Sequence, residues 1–314
     1  MKKRFHLLIV IGLLVVGFIV GSFFDLQIDK ALFQPNNGFG LFMASFGVYP
    51  CYICLSFIGG GLLCTTIRRK ELPLWGKIIC YFLSALAYGL SIFLCAREMP
   101  SVNGYNDSKL TFPSYAICAV LFSGCFVGGY FACRKGDQKK LWGVCLVLGL
   151  AFAFSLIPAG YLIKLIIHRP RFRYVVSFNE AFYKNWWEPF SEYKNYISTP
   201  ENPVFFNGIE ITKEEFKSFP SGHSGAGIVL AMALPFAPQF FQKLKGKETL
   251  LFYAGVLFGA VMMFSRLLVG AHFLTDTCMG SLIVMVIFYV ANEVIIRKGY
   301  FNEFKEEEPA PTEA

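Results

Sequence analysis

Two of the chain's only four histidines lie in short polar stretches that interrupt apolar sequence. One stretch is a Pro-Ser-Gly-His turn that ends at His223. The other runs from Ser265 to Asp276 and contains Arg266 and His272. An ionisable side chain is costly to hold away from water, so such groups beside apolar segments usually have a function. These two stretches are the first candidates for a reactive site.

The residue types in both stretches suit the chemistry of a phosphoryl group. A Ser221-Gly222-His223 turn that enters a helix offers free backbone N–H groups and the positive end of the helix dipole, and the serine hydroxyl adds a donor. Asp276 follows His272 by four residues. On a helix its carboxylate can therefore accept the proton of one imidazole nitrogen and leave the other nitrogen free to attack.

Basic residues that can hold phosphate oxygens lie near both stretches. Arg171 and Arg266 can each donate forked hydrogen bonds, and Lys164 can add a point charge. Each feature is weak evidence by itself, because serines begin many helices and arginines often anchor helix ends at a membrane surface. These residues form a site only if the fold of the chain brings them together.

The elements that must position these residues are membrane helices. The chain has 314 residues, of which 55% are hydrophobic and 16% charged, which is too apolar for an ordinary soluble domain. Apolar runs of about 20 residues, long enough to cross the hydrocarbon layer as helices, predict an all-α, polytopic membrane bundle of about eight spans. The predicted spans are residues 5–24, 47–67, 77–94, 115–133, 141–163, 224–241, 250–267 and 273–296.

Basic residues also predict which helix ends face the cytoplasm, because short cytoplasmic loops are rich in Lys and Arg. With the N-terminus inside, every inner segment is basic, whereas the first two outer loops hold only Lys30, Arg97 and Lys109. Both termini are therefore expected in the cytoplasm of a cell-membrane protein. Alternation of the helices then carries all the candidate residues to the outer, extracytoplasmic face, which makes the combined signal much stronger than any one feature.

The remaining organisation is simple. Residues 1–300 are expected to form one membrane domain, because no internal repeat is evident and most connections are short. The outer loop at 164–221 is the exception. Its aromatic part, 172–219, has two open interpretations: a segment at the membrane interface, or a folded loop with its own small core. The acidic, proline-containing residues 301–314 predict a disordered cytoplasmic tail.

The chain resembles the type 2 phosphatidic acid phosphatase superfamily, which includes glucose-6-phosphatase and the vanadium haloperoxidases. The three stretches that carry the resemblance are Lys164-x6-Arg171, Pro220-Ser221-Gly222-His223 and Ser265-Arg266-x5-His272-x3-Asp276. It places the phosphatase core at about residues 141–296.

The first of these motifs departs from the family pattern. The family usually has proline after its second basic residue, where this chain has Phe172, and Arg169-Pro170 lies two positions early. Arg169 and Arg171 are therefore both candidates for the main phosphate ligand, and the spacing favours Arg171.

The resemblance implies a phosphatase that needs no metal and no cofactor and acts on a lipid phosphate or pyrophosphate through a phosphohistidine. His272 would be the nucleophile, Asp276 would orient it, and His223 would protonate the leaving oxygen. The residues implied to hold the phosphoryl oxygens are Lys164, Arg171, Ser221, Gly222 and Arg266.

Other activities stay open at this stage. Transfer of a phosphoryl or head group between lipids would use the same site, and so would a haloperoxidase-like oxidase that binds vanadate at His272. A catalytically silent lipid-binding protein or a transporter is the alternative from a different class. The expected partners are the lipid phosphate and membrane lipids. Nucleic acid is not expected, because the net charge of +8 reflects the basic inner loops and no basic stripe carries base-stacking aromatics.

Overall fold

The computed structural model describes residues 2–99, 112–157, 162–178, 180–199, 205–206 and 209–297, and these are mostly helical. The all-α prediction is confirmed. The helices are α1 (Lys2–Leu32), α2 (Gly38–Phe46), α3 (Tyr49–Arg68), α4 (Leu74–Glu98), α5 (Phe112–Ala132), α6 (Gln138–Ile157), α7 (Lys164–Ile167), α8 (Phe172–Phe178), α9 (Gly222–Ala233), α10 (Glu248–Leu268) and α11 (Leu274–Arg297). A small antiparallel ribbon pairs β1 (Phe205–Phe206) with β2 (Ile209–Glu210).

Within the described residues, seven segments are long and apolar enough to cross a membrane, close to the predicted number. The segment predicted at 224–241 is not among them. There α9 ends at Ala233 and the chain continues as a 3-10 helix, Leu234–Gln239. Pro235 and Pro238 explain the change, because proline lacks the backbone N–H that an α-helix needs and clashes with the preceding turn.

The candidate residues lie at one end of the bundle. At this end, α1 and α2 differ from the prediction. α1 continues past residue 24 to Leu32 and carries Asp25 in its last turns. α2 lies where a loop was predicted, and its first turn is capped by Asn37, whose side-chain oxygen accepts a hydrogen bond from the Gly40 backbone N–H at 3.0 Å. Asn is a preferred capping residue, so a helix start here has a local cause.

The main hydrophobic core contains residues of α1 to α6 and of α9 to α11, and α9 lies at its centre. α9 packs against both α10 and α11, and all its residues from Ser224 to Ala233 are buried. The first turn of this central helix carries His223. Packing of the helix therefore fixes the backbone that carries this imidazole.

The outer loop has a small hydrophobic core of its own, which agrees with the second interpretation given above. Tyr174, Phe190, Ile211 and Phe216 form this core. The loop is also fastened to α1, because Trp186 donates a hydrogen bond to the Ser22 hydroxyl at 3.0 Å. The tail predicted at 301–314 lies outside the described residues.

Candidate active site

The N-terminus of α9 is held against α11 by Ser221. The Ser221 hydroxyl accepts a hydrogen bond from the Ser224 backbone N–H at 3.2 Å, and the Ser221 N–H donates to the carbonyl of Asp276 at 2.9 Å. Position 280 must be glycine for this approach, since a Cβ there would lie 2.1 Å from the Ser221 carbonyl oxygen. Ser221 is fully buried. Its hydroxyl caps the helix as an acceptor, and the contact of Ser221 with phosphate stays a prediction.

His272 is held by a backbone carbonyl. It follows a turn in which Gly270 adopts a φ of 60°, a conformation that favours glycine. The imidazole Nδ1 lies 2.6 Å from the carbonyl oxygen of Ser218, so Nδ1 carries the proton and donates it there. The carboxylate of Asp276, which was expected to accept this proton, lies 3.9 Å from Nδ1. Nε2 is left without a proton and can act as a nucleophile.

Asp276 supports His272 indirectly. Its Oδ2 accepts hydrogen bonds from the Ser218 hydroxyl and, at 2.8 Å, from the backbone N–H of Phe273. Ser218 therefore carries both the carbonyl that binds the imidazole and the hydroxyl that binds the carboxylate. The aspartate therefore contacts the backbone segment that holds the imidazole.

Arg169 is enclosed in a network of ion pairs and does not face a phosphate site. Its Nη1 lies 2.5 Å from the carboxylate of Asp276, and its Nη2 lies 2.9 Å from that of Asp25. Burial alone lowers the pKa of Arg169, but the carboxylates of Asp276 and Asp25 raise it, so the guanidinium stays charged. Of the two candidate arginines, only Arg171 lines the cavity beside His272.

Three basic side chains line this cavity close to His272: Lys164, Arg171 and Arg266. Arg171 Nε donates to the backbone carbonyl of Glu214 at 3.0 Å, and Arg266 donates to that of Gly40 at 2.7 Å. In the part of the chain that the structure describes, none of the three forms an ion pair with a carboxylate. Their charges are thus available to an anion.

The other basic residues near the cavity are neutralised by carboxylates. Arg173 makes two hydrogen bonds to the carboxylate of Glu215, at 2.9 Å and 2.5 Å, and Lys217 pairs with Glu214. Such forked pairing fixes the arginine in place. Unlike these two residues, Lys164, Arg171 and Arg266 can balance the negative charge of a phosphate.

The cations keep His272 neutral. Burial, and then the charges of Lys164 and Arg171, lower the pKa of this imidazole well below its usual value. Burial and Arg171 likewise lower the pKa of Lys164 to about 7. A neutral imidazole at neutral pH is the form that a nucleophile requires.

His223 lines the same cavity. Its Nε2 is 3.2 Å from the backbone carbonyl of Ala44 and 3.8 Å from the carboxylate of Glu98. Burial, and then Arg266, lower its pKa well below the usual value. A bound phosphate dianion would oppose the effect of these cations, so anion binding and protonation of His223 favour each other.

The cavity has a volume of about 540 Å³ and joins the polar site to an apolar channel. Its polar end holds the two histidines and the cations, and the rest lies between α3, α4 and α6. The channel is lined by Leu55, Leu62, Leu83, Leu90, Leu146 and Leu150. Such a cavity suits an amphiphile whose anionic head lies among the cations and whose apolar chain lies between the helices.

The site contains three side chains that the sequence did not single out: Asp25, Glu98 and Ser218. Asp25 and Glu98 each stand in or beside an apolar run, which is the signal that drew attention to His223 and His272. Spacing along the chain does not reveal that Asp25 contacts Arg169 or that Glu98 contacts His223. Their partners lie more than a hundred residues away in the chain.

A family model described as the PAP2 superfamily matches residues 140–299, about half of the chain. The matched segment holds Lys164, Arg171, Gly222, His223, Arg266, His272 and Asp276. Comparisons with curated proteins and with solved structures found no match. Asp25 and Glu98, on α1 and α4, lie outside the matched segment.

Proposed function

Because the chain belongs to the PAP2 superfamily, we propose that it is a membrane phosphatase that hydrolyses a lipid phosphate or pyrophosphate. Membership supports a phosphatase-type activity, and the apolar helices are consistent with a membrane protein. One observation carries the lipid part of the proposal. The cavity that contains His272 and the unpaired cations continues into a channel of leucine side chains.

In the first step, Nε2 of His272 attacks phosphorus and the bond from phosphorus to the leaving oxygen breaks. His223 gives its proton to that oxygen, and a lipid alcohol, or a lipid monophosphate from a pyrophosphate, departs. In the second step, water attacks the phosphohistidine while His223 takes up its proton. The phosphorus–nitrogen bond breaks and inorganic phosphate leaves.

The cations supply the electrostatic part of this mechanism. Lys164, Arg171 and Arg266 would surround the phosphoryl oxygens, with Gly222 allowing close approach to the backbone N–H groups at the start of α9. Charges fixed before the reaction stabilise a transition state without reorganisation, and removal of one such group typically costs about 10²- to 10³-fold in rate.

We place the reaction at the extracytoplasmic face. The support is the distribution of basic residues: the connections at the opposite end of the bundle carry Arg68, Arg69 and Lys70, and then Arg134 and Lys135. A cysteine placed at exposed Trp187 is expected to react with a membrane-impermeant maleimide in intact cells. Labelling only after the cells are opened would reverse the orientation.

The activity is tested by phosphate release from a panel of lipid phosphates and pyrophosphates in detergent, with a chelator present and with vanadate as inhibitor. His272→Ala is expected to lower release by at least about a thousandfold. His6→Ala is the matched control, because His6 contacts Tyr253 at the other end of the bundle. Equal loss in both variants, full activity in His272→Ala, or a strict need for Mg²⁺ would contradict the mechanism.

The same assay separates the alternatives. A transferase would give a phosphorylated acceptor in place of inorganic phosphate, and a haloperoxidase-like oxidase would oxidise halide when vanadate is added. A silent lipid-binding protein would bind the panel without turnover.

A further inference from the structure

The last residue of α4, Glu98, places a carboxylate among the cations of the site. Its side chain is 17% exposed, and Oε2 lies 3.8 Å from Nε2 of His223. Glu98 lines the same cavity as Lys164, Arg171 and Arg266. A carboxylate next to a phosphate site needs a reason, because it repels the anion that the cations attract.

The groups that face His223 come from several elements. α2 contributes the carbonyl of Ala44, α4 contributes Glu98, and α10 contributes Arg266. Lys164, Arg171 and His272 also line the cavity, and so does Arg97, whose Nε is 3.7 Å from Glu98. Glu98 is therefore the one carboxylate within 4 Å of His223 in the part of the chain described. The other carboxylate on the cavity wall, Glu214, pairs with Lys217.

We infer that Glu98 is a positioning residue for His223, favouring the protonated form of its imidazole and orienting it so that it can act as the general acid. The inference rests on the proposed function and concerns the same site. It adds a group from the half of the chain that the family model does not match. The proton stays on His223 until the leaving oxygen takes it, and Glu98 itself neither gains nor loses a proton in the step.

The two effects of Glu98 have opposite signs. Its negative charge favours the imidazolium form of His223, which helps protonation of the leaving oxygen, but it weakens binding of the phosphate dianion. Glu98→Gln should therefore lower kcat and at the same time tighten binding of inorganic phosphate. A residue that only supported the fold would weaken both.

The test compares two substrates. An alkyl phosphate needs protonation of its leaving oxygen, whereas a nitrophenyl phosphate has a good leaving group and needs little help. Glu98→Gln is expected to lower kcat about 10- to 100-fold on the alkyl ester and less than about threefold on the nitrophenyl ester. The inhibition constant of inorganic phosphate should fall by about two- to tenfold. Equal losses on both esters, or weaker phosphate inhibition, would overturn the inference.

The matched control is Glu214→Gln, which removes another carboxylate from the cavity wall, one that pairs with Lys217. It should change phosphate inhibition without changing the ratio of alkyl to nitrophenyl turnover. If it changes that ratio as much as Glu98→Gln does, the effect is one of overall charge and the assignment to Glu98 fails.

A second readout does not depend on turnover. The chain has only four histidines, so NMR of protein labelled at histidine, assigned with His223→Gln, can follow the titration of His223 with inorganic phosphate bound. Glu98→Gln should lower the pKa of this imidazole. An unchanged titration overturns the inference even if the wild-type chain releases no phosphate, whereas absence of release with a shifted titration rejects only the proposed function.

Discussion

At the scale of single residues, the reactivity of His272 depends on a backbone carbonyl. The backbone carbonyl of Ser218 accepts a hydrogen bond from Nδ1 of His272. Burial and the nearby cations keep the imidazole neutral. A carbonyl cannot be protonated, so it fixes the tautomer at every pH at which the chain is folded. Asp276 is then free to hold the Ser218 hydroxyl and the Arg169 guanidinium.

Different pH profiles are expected for kcat/KM and kcat. The first reports the free enzyme, in which burial and Arg266 lower the pKa of His223 and Lys164, with a pKa of about 7, loses its charge. The second reports the complex, in which the dianion favours both charged forms. The alkaline limb of kcat should therefore lie at higher pH than that of kcat/KM.

The acid limb should lie below the usual range of histidine, because the pKa of His272 is lowered and the nucleophile must be neutral. Initial rates between about pH 4 and about pH 9, at limiting and saturating substrate, provide the measurement. A flat profile, or coincident alkaline limbs, would contradict the assigned roles of the two histidines.

The sequence predicted the residues that line the cavity better than it predicted the hydrogen-bond partner of each one. Spacing and residue type identified His223, Arg266 and His272 because their neighbours in the chain are apolar. The distinction between Arg169 and Arg171 had to come from the fold, since the two carboxylates that bind Arg169 stand on α1 and α11, 144 and 107 residues away. Short-range spacing carries no information about such a partner.

At the scale of elements, α1 takes part in the site through Asp25. This carboxylate accepts hydrogen bonds from Arg169 at 2.9 Å and from the Thr275 backbone N–H at 3.1 Å. Because the carboxylate of Asp25 is paired and fully buried, this charged residue does not end the helix, and α1 continues past residue 24.

Asp25→Ala is expected to destabilise the chain by about 3 kcal/mol or more, because removal of one partner leaves Arg169 with reduced compensation in a buried site. Thermal unfolding in detergent measures the change. Glu180→Ala is the control, because it breaks the exposed pair with Lys30 and should cost less than about 1 kcal/mol. Equal destabilisation of the two variants would show that the buried network contributes no more to the free energy of unfolding than an exposed ion pair does.

α9 shows where element prediction reached its limit. Its apolar composition predicted a membrane span at 224–241, whereas the structure has a short helix that is buried from Ser224 to Ala233. The helix is short because Pro235 and Pro238 follow it, and it is buried because α10 and α11 pack against it closely. Hydrophobic composition alone does not distinguish a helix that faces lipid from one surrounded by other helices.

At the scale of the whole molecule, residues outside the matched segment complete the site. α1 supplies Asp25, α2 supplies the carbonyls that meet Arg266 and His223, and α4 supplies Glu98. The channel also runs between α3 and α4, which the family model does not include. The N-terminal half is thus expected to shape the choice of substrate as well as the bundle.

The channel itself predicts a dependence on the lipid chain. Leu146→Trp should fill part of the channel and lower kcat/KM for a long-chain phosphate about tenfold or more, with little effect on a soluble nitrophenyl phosphate that needs only the polar end. Leu250→Trp, at an exposed position on α10, is the control. Equal losses on the two substrates in Leu146→Trp would argue against lipid in this channel.

The central claim, that His272 is the nucleophile, is tested most directly by trapping the intermediate. In His223→Gln, a nitrophenyl phosphate can still phosphorylate His272, because its leaving group needs no acid, whereas hydrolysis of the intermediate is slowed. After an alkaline quench, mass spectrometry should find phosphate on the peptide that contains His272, and no such adduct when His272 is also changed to Ala. Phosphate on a different residue, or turnover that persists after the change to Ala, would contradict the account.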